Sequence, residues 1–254
     1  MESLENINER RELDKMSLET FLFDKTNILD FDIDKLIKTK LDEIEKIHLE
    51  FSRINESDEK YEEISELYEN SGLNLREYEH SLIQDMQYYE DDAFVLYEVK
   101  IIYAYKHFEI NLKKLLSSAY RDPSVKKIFH WYEFAQYLKL KGIEIKKNNQ
   151  FAEIDELRIV NNALKHSGEI DKDEIKKIKE FKGKTSFKTS DLELFYSRVK
   201  DSPNSFLSSL SLEVNRNLYM FDEDRLQKIA KHFALRMEEN IAIRFTEILK
   251  GFYK

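Results

Sequence analysis

Arg158, Asn162 and His166 stand four residues apart in the stretch IDELRIVNNALKHSG (154–168), with Lys165 beside the histidine. These residue types can do phosphate chemistry. A histidine titrates near neutrality and can carry a proton to or from a reacting oxygen. An arginine holds a phosphate through two donors, and an asparagine orients either group. Together they resemble the equipment for metal-independent phosphodiester cleavage, in which the RNA 2'-hydroxyl is the nucleophile. The same residues also suit the wet face of an ordinary helix, because Arg, Asn and His share helical faces often by chance.

What must position them is a helix over about 150–167, stopped at Gly168. On a helix, positions i, i+4 and i+8 drift slowly around the axis, so the three side chains share one face. They span about 12 Å at ~1.5 Å per residue. The apolar stripe Ile154, Leu157, Val160 (or Asn161) and Leu164 lies about 100° round the same helix. The polar trio therefore borders the buried face, a position that suits a groove or a partner better than open water.

The whole chain bounds the reading. Its 254 residues carry 41% hydrophobic side chains, including 17 Phe and 14 Tyr, which is enough for a core. Only 5 Gly and 2 Pro interrupt a sequence rich in Glu, Lys, Leu and Ile, and that favours long helices over a sheet. The absence of cysteine removes disulfides, thiolate catalysis and cysteine-based metal sites. The opening MESLENINERRELDKM lacks the apolar run of a secretory signal, and no apolar stretch approaches 18 residues. The expectation is a soluble cytoplasmic protein with no membrane partner. A net charge of -9 makes a general nucleic-acid coat a poor fit, since that affinity comes from Lys and Arg on phosphates. A local basic groove stays open. The Lys-rich run DKDEIKKIKEFKGKTSFK (171–188) is read as a solvated connection.

Along the chain, residues 1–30 are polar and are expected to be partly disordered or a short helix. Ile33, Leu36, Ile37, Leu41, Ile44 and Ile47 recur at helical spacing. NESDEKYEEISELYENSG reads as charged helix or linker with a stop at Gly72, and LREYEHSLIQDMQYY as another helix. Phe94, Tyr97, Ile101, Tyr105, Phe108, Leu112 and Leu115 mark a long central helix, with Asp91 or Asp92 as its cap and Pro123 at its end. This aromatic stripe reads as core, not as a platform for stacking bases. A further helix is expected from Ser124 to Gly142, then a loop or extended piece at IEIKKNNQ. A short strand or hairpin is expected in TSFKTSDLELFYSRV, and one last helix from Asp222 or Asp224 through Leu226, Ile229, Phe233, Met237 and Ile241. The fold class is all-α.

The succession of a long aromatic helix, a proline break, a helix ending near Gly142 and then LRIVNNALKHSG resembles the HEPN-domain family over about residues 75–170. YAYKHFEINLKKLL looks like that family's earlier core helix. NNALKHSG resembles the end of its motif, with Asn162 in the asparagine place and His166 in the histidine place. The family's arginine directly precedes that asparagine. Here Asn161 occupies its place, and the nearest arginine is Arg158, one turn earlier. The resemblance implies a HEPN-like helical bundle (75–170) between an N-terminal helical region (1–74) and a mostly helical C-terminal extension (171–254). It implies a metal-independent endoribonuclease of a toxin-antitoxin or antiviral system, acting on RNA as a homodimer whose two motifs meet. An antitoxin or defence-system protein is an expected partner, and no cofactor or metal is implied. His166 would be the acid or base, Arg158 the phosphate holder and Asn162 the positioning residue. Lys165 and Asn161 would be RNA contacts, although Lys165 reads better as a solvated lysine. Family members that have lost cleavage serve as binding modules, and this is the rival reading. Convergence of Arg158 and His166 across a two-fold groove would favour the enzyme, and Arg158 held by Asp155 the module.

The other histidines, His48, His80, His107, His130 and His232, share no metal-binding spacing. His107 and Glu98 lie on the central helix, and a carboxylate at Glu98 is a candidate to orient His166. No glycine-rich phosphate loop and no nucleophile elbow occur.

Overall fold

The computed structural model describes residues 4–21 and 28–253, which form an all-α fold. Residues 1–3 and 22–27 of the polar opening stretch lie outside the described residues. The helices are α1 (Leu4–Glu19), α2 (Ile28–Ile54), α3 (Asp58–Asn70), α4 (Leu75–Ala119), α5 (Trp131–Leu140) and α6 (Phe151–His166). They continue with α7 (Asp173–Lys176), α8 (Thr189–Val199), α9 (Ser202–Tyr219), α10 (Glu223–Ala234) and α11 (Glu239–Gly251). The chain forms two compact units. One comprises Met1–Lys25, Glu109–Phe151 and Asn204–Lys254, the other Thr26–Phe108 and Ala152–Pro203. This grouping interleaves segments that a contiguous division at 74 and 170 keeps apart.

Where helices begin and end follows local chemistry. The side-chain oxygen of Ser57 accepts the Lys60 amide at 3.2 Å, which starts α3. Asn74 Oδ1 accepts from the Arg76 amide at 2.9 Å and opens α4. No glycine or proline occurs between residues 75 and 119, so the two helices expected there are one helix of 45 residues. Asp91 and Asp92 consequently lie in its middle and cap nothing. Asp92 instead pairs with Lys40 of α2 at 2.7 Å. Past Pro123 the expected single helix from Ser124 is broken in two. A 3-10 turn (Pro123–Lys127) is capped by Asp122, and α5 begins only at Trp131, where the Glu133 carboxylate accepts the His130 amide at 3.2 Å. IEIKKNNQ contains a 3-10 turn at Ile145–Lys147 instead of an extended piece.

The second unit has two apolar clusters. Ile47 and Ile54 of α2 meet Ile64 of α3 and Leu75 and Leu82 of α4. The larger cluster joins Ile33 and Ile37 (α2), Tyr97, Ile101 and Ala104 (α4), Leu157, Val160 and Leu164 (α6), and Leu192, Phe195 and Val199 (α8). The aromatic stripe of α4 is therefore core. Each fully buried Leu or Val here contributes about 1.5–3 kcal/mol.

The Lys-rich run after α6 belongs to this larger cluster and is not a solvated connection. Ile175, Ile178 and Phe181 recur every three residues and are buried. Phe181 packs edge-on to Phe187 with centroids 5.0 Å apart. The Ile170 amide donates to Thr185 O at 3.3 Å beside an isolated bridge between Glu169 and Ser186. Among the described residues this bridge replaces the expected strand or hairpin, and TSDLELFYSRV is the helix α8.

In the first unit, Ser211 Oγ donates to Leu18 O at 2.7 Å and Ser208 Oγ to Phe21 O at 2.9 Å, which ties α1 to α9. Asn217 Nδ2 donates to Lys141 O at 2.7 Å after α5. Trp131 lies 6.1 Å from Phe151 and 6.2 Å from Phe206. The final expected helix is two, α10 and α11, broken at residues 235–238.

Candidate functional site

The helix α6 that carries the polar trio is anchored at both ends. Asn148 Oδ1 accepts the Gln150 amide at 3.0 Å just ahead of it, and the buried Asn148 amide donates to Phe206 O at 3.2 Å. At the other end the amides of Ser167 and Gly168 both return to Ala163 O at 3.0 Å. Gly168 closes that turn at φ +65, a conformation that suits residues without a Cβ. Ile154, Leu157, Val160, Asn161, Ala163 and Leu164 form the buried face.

Each candidate side chain has a definite place. Arg158 is half-buried, and its Nε and Nη2 both contact Asp155 Oδ1 at 2.9 Å. Asn162 is half-buried, and its Oδ1 accepts from Asn161 Nδ2 at 3.1 Å. Lys165 and His166 are exposed in the last turn. His166 makes no hydrogen bond or ion pair among the described residues. The trio shares one border of α6, as the four-residue spacing requires. Asn161 does not. It is 1% exposed, so an RNA phosphate does not reach its side chain in this structure. Its Oδ1 is also buried without a partner. The position where the resemblance would put an arginine thus points into the core, and an Arg there would bury a guanidinium, which is costly.

Glu98 is half-buried, and burial alone pushes its carboxyl above the ordinary range. It carries no hydrogen bond to His166. His107 stacks on Tyr103 at 6.2 Å, one turn away on the same helix. Among the described residues no group of three or more His, Asp or Glu is placed to hold a metal ion, and no helix is long and apolar enough to cross a membrane.

Two features escaped the reading of the sequence. Burial of Ile175, Ile178 and Phe181 leaves Lys172, Lys176, Lys177, Lys179 and Lys182 exposed, so the run following the trio is a basic surface. A shallow depression there is lined by Lys179, Glu180, Lys182, Lys184, Leu194 and Arg198. Arg198 is committed to Glu180 (2.9 and 2.8 Å) and Glu156 (2.8 Å), and its hydrogen bonds hold the Glu180 carboxyl below the ordinary range. The three-residue spacing of 175, 178 and 181 was the available signal. The second feature is Lys100, 4% exposed, with Nζ 2.5 Å from Asp34 Oδ1 and 4.4 Å from the Tyr196 ring. A lysine among the apolar positions of α4 gave no sequence hint of its partner 66 residues away.

Comparison with protein-family models, with curated proteins and with solved structures finds no match to this chain.

Proposed function

We propose that this chain is a HEPN-like helical module that binds a partner protein through the Arg158–Asn162–His166 border of α6 and does not cut RNA. The observation that carries this reading is the commitment of Arg158. Its Nε and Nη2, which form one of the two guanidinium edges able to grip a phosphate, face one carboxylate oxygen of Asp155. The position directly before Asn162 is a buried asparagine instead of an exposed cation. Among the described residues no carboxylate bonds His166 to fix its tautomer, a contact that a general acid or base ordinarily uses. What remains is a half-exposed polar border flanking a rigid apolar face, with the donors and acceptors of a binding surface. The test is a complex purified with its native partner. Asn162→Ala/His166→Ala should release the partner that wild type and a Lys139→Ala control both retain. Retention by all three overturns the proposal.

A second reading, the metal-independent endoribonuclease, is favoured by the weakness of the same ion pair. An i,i+3 pair at this exposure is worth about 0.3–0.5 kcal/mol. A charge-assisted bond from Arg to phosphate is worth about 1.5–3 kcal/mol. A substrate phosphate would therefore draw Arg158 from Asp155. The 2'-hydroxyl would attack the neighbouring phosphorus, the 5'-oxygen would leave, and His166 would move the proton. The exposed lysines of 172–182 would supply backbone contacts, and two copies would complete the site. Cleavage of RNA in EDTA, lost in His166→Ala, separates this reading from the first.

A further inference from the structure

The last two helices expose an apolar seam that the other described residues leave uncovered. Neither α10 nor α11 contains a buried residue. They touch through Phe233 and Phe245, whose rings are 5.3 Å apart. The pair is nonetheless held at a fixed root. The Arg225 guanidinium donates to the carbonyls of Arg216, Asn217 and Met220, which closes the C-terminal end of α9, and lies 4.2 Å over the Phe221 ring. Past that root, Leu226, Ile241, Phe245, Ile248, Leu249 and Phe252 are each 40–53% exposed.

The spacing of these residues suits packing against another helix. Ile241, Phe245, Ile248 and Phe252 step by 4, 3 and 4, the repeat of a coiled-coil seam. Ala242 and Leu249 flank that seam, while Glu239, Glu247 and Lys250 lie on the far side of the helix and Arg244 at its edge. A helix of 13 residues is marginal in water unless it packs an amphipathic face. A segment of under about 40 residues without disulfides or metals ordinarily needs oligomerisation to be stable. We infer that a second copy of this chain packs antiparallel on the α11 seam, so that two α10–α11 hairpins close into a four-helix bundle.

The seam is self-complementary under a two-fold axis. Ile241 meets Phe252 of the other copy, and Phe245 meets Ile248. The same operation runs the two α11 helices antiparallel, which opposes their dipoles. Fully covered, the six half-exposed residues offer about 550 Å² per copy, or about 1,100 Å² in total, which clears the roughly 1,000 Å² that a specific interface needs. A membrane surface is the weaker match. Three cations stand against two acids in α10 and two against two in α11, and the chain's net charge is -9, so anionic lipid gains little. The face is distinct from the α6 border, and the inference does not rest on the proposed function.

Sedimentation of the full chain at about 10–100 μM should give twice 30.6 kDa. Phe245→Glu/Ile248→Glu should return it to 30.6 kDa with its far-UV ellipticity nearly unchanged, and Leu140→Glu on α5 should leave the dimer intact. Ile241→Cys/Phe252→Cys should form a covalent dimer on oxidation. Within one chain those positions lie about 16 Å apart along the helix, too far for a disulfide. The two substitution sets report independently, so a collapsed hairpin in the Glu variant does not decide the matter alone. A wild type that stays monomeric, a dimer that survives Phe245→Glu/Ile248→Glu, or a monomer that co-sediments with phosphatidylserine vesicles would each overturn the inference.

Discussion

Replacing Phe181 with alanine probes the packing that turns the lysine-rich run into a surface. Phe181 is fully buried, 5.0 Å from Phe187 and 5.4 Å from Phe195. Removing a buried phenylalanine costs about 3–5 kcal/mol through lost transfer energy and a residual cavity. Each aromatic pair adds about 0.5–1.5 kcal/mol within that total. With an m-value of about 2 kcal/mol per M urea, the midpoint of the second unit should fall by about 2 M. The assay is a urea titration read by far-UV circular dichroism, with Trp131 fluorescence alongside. Trp131 is the chain's single tryptophan and reports the first unit. Lys179→Ala, two residues away and exposed, should shift the midpoint by less than about 0.3 M. A Phe181→Ala shift that small would refute the reasoning. It would mean that 171–188 is solvated and that its lysines form no fixed surface.

Three further outcomes follow from the same geometry. Lys100→Met keeps the buried stem and should cost under about 1 kcal/mol, whereas Lys100→Ala should cost about 1–2 kcal/mol, because the freed Asp34 is 60% exposed and stays solvated; chemical denaturation of both variants checks this order. Glu180 has its carboxyl held low by Arg198, so its contribution is present above the ordinary value of 4.5 and is lost as pH falls through the lowered one. Wild type should therefore lose more thermal stability than Glu180→Gln between about pH 5 and pH 3, as read by melting curves. Gly168→Ala meets no atom within 4 Å, so its cost should be backbone strain alone, about 1 kcal/mol at φ +65, measurable by urea denaturation.

Much of the fold was legible because its signals are local. The four-residue steps of 158, 162 and 166 and the glycine at 168 place α6 and its border correctly. The apolar period of α4 identifies the core. The errors share a physical cause. Asp91 and Asp92 look like caps, yet without a helix breaker nearby the backbone bonds continue through them. The lysines of 171–188 mask four buried apolar residues, Ile175, Ile178, Phe181 and Phe187, since charge density is visible in composition while burial depends on what packs against the turn. The commitment of Arg158 to Asp155 was foreseeable as an i,i+3 option, but choosing it over a swing toward His166 needs side-chain positions. Inward placement of Asn161 follows from the phase of the stripe, which the sequence leaves divided between Val160 and Asn161. Both are buried.

The most direct measurement is to incubate total RNA with wild type and with His166→Ala, in EDTA, at equal concentrations, and to analyse the 3' ends. Binding without cleavage predicts intact RNA in both samples. A 2',3'-cyclic phosphate produced by wild type and absent with His166→Ala would contradict the account and assign the histidine to catalysis.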